Sequence, residues 1–421
     1  MFKENSQTIN RTLKNVRILL AVILENIYLI LFGIVVLYLF LQKTAFEIPW
    51  KAFMRTEDNT LREWCRWLLE PPYNLLGYVA VLRCLIQKEY RLKRTLLALG
   101  IFFCGRELWQ HNSYFKIMLL TLLLVGALGI SFRKMIKVYF LLISTALLIT
   151  FGCAVTGVIE NYVLMRGENM RMFFGINSPT NFASFVFFQI LCWWYLRKEK
   201  LTYIEAAVVA GISVFLMVFC NTRTACALLI VLAICMCWMR FRYMQAETQG
   251  KQYRMNSVVS ALSALSHPLL AGFMIVLTLL YTSDSSLFVK MNTWLSDRLG
   301  LGWRAFDVYG ISWLGQYVPT YAFSDGEAAS NYFCIDSSYV QMPIVYGLAA
   351  MIFLLAAFLW IGCRAVEEKD WIFLLILVFT GVHSAIEPHL LEVQYCPFLL
   401  ALLADTTPQE GLRIREIFGR K

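Results

Sequence analysis

Long apolar runs separated by short polar segments dominate the chain. A helix rises 1.5 Å per residue, so roughly 20 apolar residues are enough to cross the hydrocarbon core of a bilayer. On this measure the pattern predicts about twelve transmembrane helices, of which the second, third and twelfth are short or interrupted. The predicted spans lie near residues 18–41, 68–87, 92–107, 114–131, 134–155, 178–196, 202–220, 223–240, 265–282, 337–361, 370–386 and 390–405. The predicted fold is an all-α, polytopic membrane protein in which residues 1–421 form one domain.

The composition agrees with lipid as the surrounding solvent. Hydrophobic residues make up 59% of the chain and charged residues 16%, whereas soluble domains carry about 25% charged residues. The net charge is +10, and the basic residues lie between apolar runs, where they can bind an anionic membrane surface. This placement argues against nucleic acid as a partner. The spacing of the cysteines and histidines predicts neither a disulfide framework nor a metal site, and we expect no cofactor.

Basic residues concentrate in every second loop, and this alternation predicts the orientation. The positive-inside rule places such loops, with both termini, on the cytoplasmic side of the cell membrane. The start of the chain is polar through Val16 and has no small-residue cleavage site, so we expect no cleaved signal peptide. Residues 283–336 then form a long extracytoplasmic loop, and such loops are usually functional. The basic groups begin at Lys3, Lys88, Arg133, Arg197, Arg240, Arg364 and Arg413.

A tight turn with an arginine joins the seventh and eighth predicted spans. The turn reads Asn221-Thr222-Arg223-Thr224, and the eighth span starts there and runs inward. A helix N-terminus already carries partial positive charge and free N–H groups. An added Arg223 therefore suits an anion site at the outer surface. The alternative is an arginine that extends to lipid headgroup phosphates.

The sixth predicted span begins with an unusual group of polar residues. Ser178 and Pro179 are explained as the N-cap and first residue of the helix. Capping does not explain Asn177 and Asn181, which add polar groups beside the membrane. The two asparagines are either substrate contacts or part of the local structure.

The long outer loop contains two arginines within a segment of helical periodicity. Arg298 and Arg304 are six residues apart, so on one helix they would point about 120° away from each other. They are candidate ligand contacts, or else anchors of a helix that lies in the membrane interface. The apolar residues that set the periodicity are Leu295, Leu299, Phe306 and Trp313.

Two further helix ends on the outer side carry ionisable residues. Asp336 opens the tenth span, where an acidic residue is an ordinary cap. His383 and Glu387 lie four residues apart at the end of the eleventh span, which places them on one helix face. Ionisable groups at membrane depth are functional candidates, and either residue could take a proton from a hydroxyl. The alternative is that the pair only completes the helix end.

Taken in order, these segments resemble the O-antigen polymerase and ligase superfamily, and within it the Wzy-type polymerases of capsular and exopolysaccharides. The segment 176–183 resembles the family's G-x-x-x-P-N-x-x-A helix start, and 221–225 resembles its S-R-T/G turn. Arg298 resembles the arginine of its long outer loop. The segment 336–347 resembles its D-N-x-Y helix start. Three positions depart from the family pattern, namely Asn221-Thr222, Ser337 and the stretch after Glu387.

The resemblance implies a GT-C-like fold and a metal-independent, inverting glycosyl transfer. Its substrate would be an oligosaccharide repeat unit linked through diphosphate to undecaprenol, polymerised on the outer face of the cytoplasmic membrane. It implies that arginines bind the diphosphate, and a flippase and a chain-length regulator are possible partners. The implied site residues are Glu387, His383 and Asp336 for catalysis, Arg223, Arg298 and Arg304 for the diphosphate, and Asn177, Asn181 and Tyr339 for the rest of the substrate.

Two other functions remain open at this stage. A ligase of the same superfamily would move the finished glycan to a different acceptor, and the sequence separates the two weakly. A lipid-linked oligosaccharide flippase, or another transporter, would also suit twelve spans. Transporters usually show repeated halves and polar residues near the middle of the membrane. Here the polar residues lie at outer helix ends and no internal repeat is visible, which favours the enzyme.

Overall fold

Helices make up most of the chain, and one short β-hairpin is the only sheet in the part of the chain that the structure describes. The computed structural model describes residues 2–46, 75–80, 82, 92–112, 115–166, 168–319 and 333–407. The elements are α1 Phe2–Leu41, α2 Leu92–Asn112, α3 Phe115–Gly126, α4 Phe132–Val155, β1 Val163–Arg166, β2 Asn169–Met172, α5 Pro179–Arg197, α6 Tyr203–Cys220, α7 Arg223–Thr248, α8 Ser257–Ala264, α9 Ser266–Leu279, α10 Ser286–Trp294, α11 Arg298–Tyr309, α12 Ser338–Gln341, α13 Leu348–Glu367 and α14 Trp371–Ile386. Single turns of other helix types cover Lys198–Lys200, Met342–Tyr346 and Phe398–Leu402.

The apolar helices identify an all-α membrane protein. Within the described residues, five helices are long and apolar enough to cross a bilayer, and α8 with α9 makes a sixth span if this pair, bent by 59°, counts as one. The five are Leu19–Leu41 within α1, and α4, α6, α7 and α13. The predicted number of twelve spans stays a prediction. The predicted span 68–87 lies mostly outside the described residues, as do the basic tail from Arg413 and part of the loop 283–336.

Several predicted spans differ from the helices observed. The fourth is only the 12-residue helix α3. The ninth, predicted at 265–282, corresponds to α9, which is bent by 59° against the preceding α8. Pro268 lies at the third position of α9, where it cannot donate the N–H bond that would continue one straight helix from Ala264. The tenth, predicted at 337–361, is not one continuous helix, because α12 gives way at Met342 to a π-helical turn and then to Gly347 before α13 begins.

The twelfth predicted span is not a helix. Residues 387–397, here named the 387–397 segment, are irregular and almost entirely buried, and the 3₁₀ turn Phe398–Leu402 follows. Pro388 and Pro397 explain this difference, since proline disfavours a helical conformation in the residue before it and cannot donate a helix hydrogen bond. The Tyr139 hydroxyl donates to the carbonyls of Gln394 and Tyr395, both at 2.7 Å. Irregular backbone inside a membrane protein is tolerated where protein groups satisfy it in this way.

Four helices define the two ends of the bundle. A two-residue turn joins α6 to α7, so the two run antiparallel, and the Lys198–Lys200 turn joins α5 to α6. At the end where α5 stops, Lys198 forms a 2.5 Å ion pair with Asp370, the N-cap of α14. The start of α5, the end of α6, the start of α7 and the end of α14 therefore lie together at the other end. We name this the site end.

Main-chain contacts fasten the loop after α11 to the start of α13. The amides of Leu348 and Ala349, at the start of α13, donate to the carbonyls of Ser312 and Trp313 at 2.8 and 3.1 Å. Gly347 has a φ of +93°, and a Cβ added there would lie 2.5 Å from the Trp313 oxygen. Only glycine fits, since both the backbone conformation and the space exclude a side chain.

Replacing Gly347 by alanine should lower stability by about 1–3 kcal/mol, because a left-handed conformation and a main-chain clash would both have to be relieved. The unfolding temperature of the detergent-purified variant measures this loss. Gly211 is the matched control, since it lies inside α6 and no described residue comes within 4 Å of an added Cβ. Gly211→Ala should be neutral or slightly stabilising. Equal unfolding temperatures for Gly347→Ala and wild type would contradict the expectation.

Candidate functional site

A buried arginine connects three separate parts of the chain at the site end. Arg298 is the first residue of α11, and its side chain is only 7% exposed. It donates to the Glu387 carboxylate at 2.7 Å and to the Ile386 carbonyl at 2.7 Å, both at the end of α14. Its Nε lies 3.6 Å from the Asp336 carboxylate, just before α12. Arg298, Asp336 and Glu387 form what we name the Arg298 cluster.

Glu387 reaches this cluster because α14 ends one residue earlier. Its φ and ψ of −121° and 150° are extended, so the expected shared helix face with His383 is wrong. The Ser338 hydroxyl holds the chain on both sides of this point. It donates to the Glu387 carbonyl at 2.7 Å and accepts from the Leu390 amide at 3.3 Å. The backbone of this irregular segment, held by Ser338, therefore sets the direction in which the Glu387 carboxylate points.

The electrostatics of the Arg298 cluster favour a glutamate that binds protons readily. Burial raises the pKa of Glu387 above its ordinary value, although the Arg298 guanidinium opposes the shift and Asp336 adds to it. Burial, and to a smaller extent the nearby Asp336 carboxylate, raises the pKa of the Cys334 thiol to about 12. The cluster thus combines one arginine with two carboxylates in a desolvated place. A carboxyl group whose pKa is raised towards neutrality is suited to general base or acid chemistry.

Arg171 is a second cation near Glu387, and it was not among the candidate residues predicted from the sequence. It lies in β2 and donates through Nε to the carbonyl of Cys220, the last residue of α6, at 3.0 Å. It is also close enough to Glu387 to lower the pKa of that carboxyl group. Arg171 therefore lies between the Arg298 cluster and the turn that carries Arg223. No local motif marks it, since its loop carries two basic residues, Arg166 and Arg171, beside two acidic ones, Glu160 and Glu168.

Arg223 lies where the sequence predicts it, at the first position of α7. Asn221 adopts a left-handed conformation with φ and ψ of 47°, and Thr222 is buried. The sharp turn leaves the Arg223 side chain exposed at the site end. An exposed cation at a helix N-terminus can meet an anion without displacing a protein group.

The two asparagines at the start of α5 bond to each other. The Asn181 side-chain amide donates to the Asn177 side-chain oxygen at 2.8 Å. The Asn177 backbone N–H donates to the Lys43 carbonyl, also at 2.8 Å. Ser178 is the N-cap, as predicted from the sequence, and accepts from the Thr180 amide at 3.3 Å. These bonds account for the local structure and place both asparagines at the site end. Their role in substrate binding stays a prediction.

Arg304 does not share the surroundings of Arg298. Both arginines lie on the uninterrupted helix α11, so Gly300 and Gly302 do not break it and the two side chains diverge as their spacing predicts. Arg304 is exposed and lies over the Phe333 ring, with its guanidinium carbon 5.8 Å from the ring centre. The structure brings it into no contact with Glu387 or Asp336 that would support a shared ligand.

Tyr339 and His383 are buried between helices. The Tyr339 hydroxyl lies 2.9 Å from His267 Nδ1 in α9. His383 Nε2 lies 3.2 Å from the Ser184 hydroxyl in α5, and its ring stacks on Phe187 with centres 4.8 Å apart. These contacts are those of packing residues, so substrate binding by Tyr339 and proton transfer by His383 stay predictions.

A second charged cluster, which was not predicted from the sequence, lies on the 387–397 segment. The Glu392 carboxylate accepts from His389 Nδ1 at 3.2 Å and from the side-chain amide of Gln394 at 3.3 Å. Lys116, at the start of α3, lies 3.6 Å from its other oxygen. Burial alone would raise the pKa of Glu392, but Lys43, His389 and Lys116 together hold it well below its usual range. Glu392 is therefore a carboxylate, not a carboxylic acid, at neutral pH.

Among the residues that the structure describes, no group of three or more His, Cys, Asp or Glu side chains is arranged to hold a metal ion. Comparison with protein families, with curated proteins and with solved structures finds no match to this chain. Its function is therefore inferred from the site itself.

Removing Arg298 should destabilise the protein by about 3–5 kcal/mol at neutral pH, because the buried Glu387 would be left as an unpaired charge and the partly buried Asp336 would lose its cation. The loss should be smaller at about pH 5, where protonation of Glu387, whose pKa is already raised, removes one of these charges. Unfolding temperatures of Arg298→Ala between about pH 5 and pH 8 measure the effect. Adding Glu387→Gln should restore part of the stability at the higher pH. A loss independent of pH would show that the ion pair is not its cause.

Proposed function

We propose that the protein is a membrane glycosyltransferase that polymerises oligosaccharide repeat units linked through diphosphate to undecaprenol. The observation that carries the proposal is the Arg298 cluster, in which a buried glutamate of raised pKa lies against an arginine at a helix end. Exposed Arg223 and half-buried Arg171 lie at the same end of the bundle. A proton acceptor beside cations is what the transfer of a sugar from a diphosphate requires.

The proposed reaction is a single displacement at the anomeric carbon. The acceptor hydroxyl attacks that carbon while its proton moves to the Glu387 carboxylate. The bond between the anomeric carbon and the diphosphate oxygen breaks, and the leaving diphosphate takes the electron pair. Positive groups fixed near the developing charge stabilise the transition state without reorganisation. One displacement inverts the anomeric configuration, and no metal ion takes part.

The contacts divide the arginines into two roles. The Arg298 guanidinium already donates to Glu387 and to the carbonyls of Ile386 and Leu295. A diphosphate would have to displace these partners, so we assign Arg298 the positioning of Glu387. Arg223 is exposed and needs no such displacement, and Arg171 lies between it and Glu387. We assign the binding of the diphosphate to these two residues, with Asn177 and Asn181 at the edge of the same surface.

The distribution of charge supports the proposed sidedness. The end of the bundle opposite the site end carries Lys198, Arg240 and Arg364. We infer from the positive-inside rule that this end faces the cytoplasm, and we assign the site end to the outer face of the cytoplasmic membrane. The lipid-linked substrate would reach it from the bilayer after a flippase has delivered it. A chain-length regulator is a further expected partner.

Arg223→Ala and Glu387→Gln should each abolish polymer in cells, while single lipid-linked repeat units still accumulate on the outer face. Arg223 is exposed and Glu387→Gln keeps the size of the side chain, so both variants should fold. Gel sizing of the surface glycan and labelling of the outward repeat units provide the measurement. Arg254→Ala is the control, since this exposed arginine follows α7 at the opposite end of the bundle.

Polymer of normal length from both variants would refute the proposal. Loss of outward repeat units, with precursors retained inside the cell, would instead assign the protein to flipping. Polymer that is made but never attached to its final acceptor would indicate a ligase.

A further inference from the structure

The proposed reaction leaves a proton on Glu387, which is buried, so the proton needs a way out. Two buried polar atoms of the 387–397 segment have no hydrogen-bond partner among the residues that the structure describes. They are His389 Nε2 and the Tyr395 hydroxyl, on residues that are 3% and 0% exposed. An unpartnered polar atom in a buried place requires a physical explanation.

Glu392 determines which nitrogen of His389 is available. Its carboxylate lies 3.2 Å from Nδ1, and Lys116 and Lys43 keep it ionised. A neutral imidazole that donates from Nδ1 carries its free electron pair on Nε2. When Nε2 takes a proton, the adjacent carboxylate stabilises the imidazolium that forms. The same arrangement of carboxylate and imidazole serves hydrolases as a proton acceptor.

Aromatic stacking fixes the plane of the His389 ring. The ring lies on Tyr395 with centres 3.9 Å apart and 19° between planes, and Tyr395 lies on Phe185 at 4.0 Å and 22°. The stacking fixes the plane of the ring, and the contact of Nδ1 with Glu392 fixes its rotation within that plane, so the direction of Nε2 is set. A fixed direction is what a group needs if it is to receive a proton in one geometry.

The backbone brings His389 close to Glu387. Only Pro388 separates the two, and Ser338 holds the chain on either side through the Glu387 carbonyl and the Leu390 amide. The positive form of His389 lowers the pKa of Glu387, which agrees with this proximity. Both residues are thus held on one short, buried stretch.

We propose that His389 and Glu392 form a proton relay that carries the proton from Glu387 towards water after each transfer. The relay rests on the proposed function. The proton that the acceptor hydroxyl gave to Glu387 moves to His389 Nε2, so the Glu387 O–H bond breaks and an N–H bond forms. The imidazolium, paired with Glu392, then loses one proton to water and returns to its neutral form. Nothing is oxidised or reduced, and Glu387 is again a carboxylate for the next acceptor.

Several charged or titratable groups surround the relay. From neighbouring elements they are Lys43, Lys116, Arg171, Arg298, Asp336 and His383, and from its own segment Glu387 and Glu392.

The test compares His389→Gln with wild type in lipid nanodiscs. The probe is the pool of lipid-linked oligosaccharides extracted from source cells that lack this protein, and the readout is release of undecaprenyl diphosphate. Steady-state turnover should fall by at least about tenfold, since a positioned proton acceptor contributes about 10²–10⁴. The first turnover, measured with enzyme in excess, should stay unchanged, because Glu387 still accepts that proton. His111→Gln, at the exposed end of α2, is the matched control.

Rescue by a small base makes the test specific. Imidazole added to His389→Ala should restore turnover in proportion to its concentration and should leave wild type unchanged. If His389→Gln does not fold, Glu392→Gln carries the same expectation, because it keeps the size of the side chain and removes the charge that stabilises the imidazolium.

The outcomes are separable. Unchanged steady-state turnover in His389→Gln would overturn the relay and leave the proposed function standing. An equal fall of the first and later turnovers without rescue by imidazole would also overturn it, since that result indicates a structural role. Release of no undecaprenyl diphosphate by wild type would overturn the function and the relay together.

Discussion

The ion pair between Arg298 and Glu387 is the constraint on which the rest of the site depends. A guanidinium that is 7% exposed must be compensated, and here three separate stretches of chain supply the compensation: the end of α14, the residue before α12 and the start of α11 itself. Removing one partner leaves a buried charge, so the three stretches hold each other in place. The ion pair thereby holds the irregular segment that carries Glu387 against the start of α11.

The sequence allowed the general class and several helix starts to be predicted, because these depend on local chemistry. Hydrophobic length and composition are enough to identify a membrane protein. Ser178 before Pro179 marks the start of α5, and Asn221-Thr222 marks the turn before α7. Arg298 was selected from its position in a long outer loop, and the structure brings it together with Asp336 and Glu387, which were selected for other reasons.

The features of the site that could not be predicted from the sequence depend on long-range packing. The expected pairing of His383 and Glu387 assumed that α14 continues, but the helix ends at Ile386 and the two side chains enter different surroundings. The apolar stretch from 390 was predicted to be a span, because segments that are buried by protein and segments that are buried by lipid have similarly apolar compositions. Arg171 and Lys116 became visible only when the hairpin and α3 were placed against the site, since neither belongs to a recognisable local motif.

The contact between the loop after α11 and the start of α13 has an evolutionary consequence. Main chain meets main chain there, with glycine at both 315 and 347 and φ values of +91° and +93°. No side chain can enter that contact unless the loop moves away, and with it the helix that begins at Arg298. Retention of both glycines in a distant homologue would therefore mark the same docked loop, even where every charged residue of the site had been replaced.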